Sequence, residues 1–142
     1  MARTLAALVA VASVAVGSVA VGCGDTLHDP VELVRARAPS GAVDCGHVGW
    51  GSEVAPDDAH ACAAAALPAG VAFYALVDQP VADGRLAIGW VGRAGGGGER
   101  LTYDAVQGLF SDDETVAWAP CARIVDRGTC PELVDDLCLR CE

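Results

Sequence analysis

Lysine and asparagine are absent from this chain, and basic residues of any kind are few: nine arginines stand against 19 aspartates and glutamates, a formal net charge of −10. Nucleic acid is held by clustered Lys and Arg on one face, so this scarcity excludes it as a partner. No basic run is present to hold an anionic membrane surface either. Without Asn there is no acceptor for N-glycosylation. Lys and Asn have A-rich codons, and their joint absence from a chain heavy in Ala, Val and Gly points to GC-rich, bacterial coding. Catalytic motifs are missing as well. No G-x-S-x-G nucleophile elbow occurs, and the four glycines at 95–98 are not followed by the Lys-Ser/Thr of a phosphate loop.

What is plentiful is apolar sequence at the front. Arg3 is followed by "LAALVAVASVAVGSVAVG" at 5–22, the plan of a signal peptide over residues 1–22, with a basic start, an apolar middle and small residues at the end. A transmembrane helix is the competing reading, since 18 residues reach the lower bound for spanning a bilayer. Gly17, Ser18, Ala20 and Gly22 weaken it, and the flank "CGDTLHD" is acidic where a stop-transfer segment would be basic.

The sequence "AVGC" at 20–23 resembles the lipobox of bacterial lipoproteins, with Val21, Gly22 and Cys23 matching and Ala20 standing where Leu is commonest. The resemblance implies that the chain is cut before Cys23, which then carries a diacylglyceryl thioether. Two or three acyl chains on one residue anchor stably without any basic patch. Cysteine arithmetic points the same way. Lipidating Cys23 leaves Cys45, Cys62, Cys121, Cys130, Cys138 and Cys141, an even set for a disulfide framework in an exported protein. A cut after Ala20, which Ser18-Val19-Ala20 also permits, would leave seven cysteines and one unpaired thiol. Gly24 follows Cys23 in place of the aspartate that retains enterobacterial lipoproteins at the inner membrane, which tilts the expected address toward the outer membrane, facing the extracytoplasmic side.

Residues 23–43 read as a lipid-anchored tether containing one short helix, begun by Asp29 and Pro30 with Glu32 and ended by Pro39-Ser40-Gly41. Fully extended, residues 24–43 would reach roughly 70 Å. Residues 44–142 form the expected domain. A short strand near "VDCGHVGWG" is followed by an alanine-rich helix that starts at Pro56 with Asp57 and Asp58, is stopped by Pro68 and Gly70, and can lie close against a sheet. Alternating strands follow at 71–77, 85–92, 99–106 and 114–125, joined by turn-like segments. The end, "TCPELVDDLCLRCE", returns to helical spacing. The expected fold is therefore α+β: one helix packed on an antiparallel sheet of about four strands, disulfide-stapled, with a short C-terminal helix.

Six cysteines permit 15 pairings. Locality favours Cys45 with Cys62 and leaves the last four to pair among themselves. Cys138 and Cys141 form a Cys-x-x-Cys, but at a helix C-terminus beside Asp135, Asp136 and Glu142, where a thiolate is opposed. Spacings of nine, eight and three do not suit zinc knuckles. His28, His47 and His60 are scattered, and no metal or cofactor is expected. The acidic run "SDDE" at 111–114 is not an EF-hand loop. Among the tryptophans, Trp90 and Trp118 fall inside strands and read as core, while Trp50, between Gly49 and Gly51, is the candidate contact residue.

The expected function is that of an envelope lipoprotein, a non-enzymatic binding or structural module held to the membrane through Cys23, with an envelope protein as a further candidate partner. The alternatives are an exported thiol-disulfide oxidoreductase using Cys138 and Cys141, or a secreted inhibitor-like partner subunit.

Overall fold

The computed structural model describes residues 27–49, 51–107, 112–128 and 137–142. Cys23, Trp50, Cys130 and Ser111 of the acidic run lie outside these residues, as do the signal segment and positions 129–136 of the expected C-terminal helix.

The chain begins with α1 (Pro30–Arg37), continues through β1 (Val43–Val48) and α2 (Pro56–Ala69), and then runs through β2 (Phe73–Gln79), β3 (Arg85–Gly92), β4 (Gly98–Gln107) and β5 (Asp112–Cys121). Short β6 (Ile124–Asp126) and β7 (Leu139–Cys141) complete it. The five long strands form one sheet in the order β1-β2-β3-β4-β5. The fold is α+β as expected, but the sheet is mixed. β2 to β5 pair antiparallel, whereas β1 pairs parallel to β2, Val43 opposite Phe73 and Val48 opposite Val77. Parallel neighbours need a crossover connection, and α2 supplies it.

α2 begins without a side-chain cap at Ala55, its first turn carrying Pro56, Asp57 and Asp58 instead. It runs through Pro68, past the expected stop, to Ala69, and ends on Gly70 at φ 64 with the cap N–H bonded to Ala66 and Leu67. A glycine takes that left-handed cap at no steric cost. Ala59, Ala63 and Ala66 turn inward at helical spacing, so the helix axis approaches the sheet closely. They meet Phe73, Ala75, Val77, Ile88 and Trp90.

The opposite face of the sheet is covered as well, and this corrects both the single packed helix and the tether. Asp29 accepts a hydrogen bond from Val31 N at 3.0 Å and caps α1, whose Pro30 and Val34 are buried. Val34 joins Leu76, Ala87, Val91, Leu101, Tyr103 and Ala105 in a second core. The helix gets this close because β3 offers Gly89 beneath it, where a Cβ would overlap Val34 Cγ1. From Leu27 onward, then, the stretch assigned to the tether is part of the fold.

The chain end also differs from expectation. Leu137 and Cys138 both sit at φ 54, a left-handed pair that ends any helix, and Leu139–Cys141 is a strand paired with β6. Arg123 and Glu142 exchange backbone bonds at 2.9 and 2.8 Å and extend that ribbon. The glycine tip between β3 and β4 is pinned to it, since Ile124 N donates to Gly96 O at 2.9 Å.

Two disulfides staple this frame. Cys45 of β1 bonds Cys62 of α2, the pairing favoured by locality, and Cys121 at the end of β5 bonds Cys141 of β7. Cys138 is disulfide-bonded too.

Candidate functional site

The site is built by an irregularity in β1. Between Asp44 and His47 the pairing with β2 slips, and Gly46 takes φ 97. Asp44 Oδ1 accepts from Gly46 N at 2.9 Å and stabilises the bulge from within. A bulge redirects the side chain that follows it. Here that side chain is His47, which reaches Asp78 of β2 with Nε2 2.7 Å from Oδ2.

Asp78 is gripped from its other side by Arg85, at the start of β3. Arg85 Nε donates to Asp78 Oδ1 at 3.0 Å and Nη2 to Oδ2 at 3.3 Å, while Nη1 reaches the capping carboxylate of Asp29 at 3.4 Å. A carboxylate receiving a two-nitrogen arginine grip is the ionised, acceptor-only form. The His47 nitrogen facing it is therefore the one that carries hydrogen, and in the neutral ring Nδ1 is the acceptor. Nδ1 has no protein partner among the described residues. Gly49 completes the fit, because a Cβ there would stand 2.6 Å from Asp78 Oδ2.

His47 lines two clefts. One, of about 500 Å³, is bounded by Arg35, Asp44, Ser52 and Tyr74 over an apolar floor that includes Val34 and Leu76. The other, of about 440 Å³, lies along Asp78, Pro80, Val81 and Arg85. In the first, the Tyr74 hydroxyl donates to Asp44 Oδ2 at 2.8 Å, and Arg35 is held firmly charged by the Tyr74 hydroxyl and by Glu32. The cleft thus sets a cation and a carboxylate around an apolar base, the layout of a small-molecule site with few polar anchors. The Ser52 hydroxyl donates to His47 O and accepts from Val54 N at 3.1 Å, so it serves the loop and not the imidazole.

The three histidines do not converge. His28 pairs with Glu114 of β5 at 2.7 Å and His60 with Asp126 of β6 at 2.9 Å, neither with a group that His47 touches. Among the described residues no group of three His, Cys, Asp or Glu could hold a metal ion. Cys138 and Cys141 do not share a bond, because Cys141 is joined to Cys121. Trp90 is buried, whereas Trp118 is half-buried with Arg37 stacked 5.4 Å above its ring, which corrects its reading as plain core.

Sequence reasoning passed over Asp78, Arg85, Asp44 and Tyr74. One signal was there to find: Arg85 is the only arginine between Arg37 and Arg93, and it faces Asp78 across the β2–β3 turn. No protein-family model matches this chain, and no match was found among curated proteins or solved structures.

Proposed function

We propose that this protein is a lipid-anchored envelope module of the bacterial surface that binds a small ligand in the clefts beside His47, without covalent chemistry. The observation that carries the binding reading is the His47–Asp78–Arg85 cluster at the β1 bulge, whose His47 lines both clefts. Support for export comes from the cysteines, since Cys45–Cys62 and Cys121–Cys141 are the covalent frame expected of an oxidising compartment. Anchoring through Cys23 rests on the lipobox resemblance. The oxidoreductase reading loses support, because a redox dithiol needs its two sulfurs in one exchangeable bond and Cys141 is joined to Cys121.

Metabolic labelling with an alkyne palmitate, with Cys23→Ser beside the wild type, tests the anchor: label in the wild type alone supports it, and an unlabelled wild type overturns it. For binding, the ¹⁵N-labelled protein is titrated with a panel of small amines and carboxylates. Chemical-shift changes centred on Arg35, His47 and Tyr74 and lost in His47→Ala are expected, whereas silence at these residues across the panel overturns the assignment of the clefts.

A further inference from the structure

The two edges of the sheet are treated very differently. β1 is short, bulged and cross-linked to α2, all devices that blunt an edge. β5 is ten residues long and pairs with β4 in unbroken register from Gln107–Asp112 to Gly98–Cys121. Nothing among the described residues pairs with its outer side.

Pro120 fixes which backbone groups point outward. It stands opposite Glu99 and has no N–H, so this pair is one whose backbone groups face away from β4. The regular register carries the same parity to Trp118, Val116 and Glu114. These three residues present N–H and C=O groups at the open edge, and the side chain of Val116 is 38% exposed.

We propose that the partner of this edge is a second copy of the same chain, joined by antiparallel pairing of β5 with β5 about a two-fold axis at Val116. In that register Val116 meets its symmetry mate, and Glu114 meets Trp118 in both directions, each pair exchanging both backbone bonds. In this register Pro120 falls at the rim, opposite Asp112, and moving the axis toward the C-terminus carries the missing donor inward to Glu114 or Val116. On the α1 face Glu114 is already bonded to His28 and Arg37 to Glu99, so neither brings an unpaired charge to the seam. On the other face Asp113 comes opposite Ala119, whose neighbour in β4 is Arg100. Isologous contacts place each complementary pair twice. Across most of the remaining surface the net charge of −10 repels, so added salt strengthens the association by screening that repulsion.

Cysteine substitution in the full chain, cross-linked in its own membrane, tests the register. Val116→Cys is expected to yield a band at twice the monomer mass under mild oxidation, because directly opposed Cβ atoms in a strand pair stand about 5 Å apart. Ala119→Cys alone yields none, while Asp113→Cys coexpressed with Ala119→Cys does. A thiol-free readout runs alongside. Val116→Lys, at an exposed side chain, keeps the wild-type circular dichroism but lowers the dimer fraction in mild detergent at least tenfold. A cross-link from position 116 to a protein of another mass, equal cross-linking at 119 alone, or a dimer that survives Val116→Lys would each overturn the proposal.

Discussion

Val34 of α1 rests directly on Gly89 of β3, with no room between them for a Cβ. The contact places the helix, and through the helix the capping carboxylate of Asp29 that Arg85 also reaches. Gly89→Ala forces Val34 and Leu101 apart, and overpacking of this kind costs about 1–3 kcal/mol. Urea denaturation should show that loss. Val34→Ala in the same chain should restore part of it, since neighbours that share one space are non-additive.

Asp78→Asn removes the charge that Arg85 and His47 share. The loss of charge-assisted bonds to a half-buried guanidinium and imidazole should lower stability by about 1–3 kcal/mol. NMR of the imidazole should report a changed tautomer at His47, while His28 and His60, bonded elsewhere, keep theirs.

Acid should weaken the fold in a defined window. Arg37 and then Arg93 hold the Glu99 carboxyl down to about 2, overcoming an opposing push from burial. A carboxylate with a depressed folded-state pKa adds stability above its ordinary value near 4.5, and this is lost as pH falls toward about 2. Asp126, held low by His60 and the Gly128 N–H, adds in the same sense. Glu99→Gln should flatten the acid limb of a stability–pH profile. The effect should shrink in high salt, because both arginines are half-exposed.

Alkali acts through Tyr103, whose hydroxyl donates to His28 O at 2.9 Å. Burial, and then the Glu114 carboxylate, push its pKa up from 10.0 to about 12. The unfolded chain ionises first, so stability is full below pH 10 and falls between there and about 12. Tyr103→Phe should remove that fall, at the cost of one hydrogen bond at neutral pH.

Peptide mapping without reduction should recover Cys45 linked to Cys62 and Cys121 linked to Cys141. Replacing Cys121 and Cys141 together by Ala should cost about 2–4 kcal/mol, and hydrogen exchange should rise in β6 and β7 before it rises in β2 and β3.

Much of the frame was legible in the residues. Alternation marked β3 at its observed limits and β2, β4 and β5 to within a few positions, and Asp29-Pro30 and Pro56 marked the helix starts. What stayed hidden depends on long-range placement. The parallel pairing of β1 leaves no trace in its own six residues, because α2 decides it. α1 turns few apolar side chains inward, so only the vacancy over Gly89 reveals that it docks. At 137–141, leucine and cysteine spacing suggested a helix, but the ribbon with β6 and the bond to Cys121 won over local periodicity. The cleft cluster escaped because Asp78 and Arg85 meet His47 only after a crossover and a bulge have brought them together.

The docking of α1 sets how high the domain stands. With Cys23 as the proposed anchor, only four residues separate it from Leu27, which packs against the second core, and a chain of that length spans no more than about 14 Å. A free tether to residue 43 would have allowed the domain to roam through the space beyond the bilayer. Anchored this short, it would sit almost on the headgroups, and any ligand or second copy would have to reach it at the membrane surface. Copies confined to that plane meet at a far higher effective concentration than they would in solution.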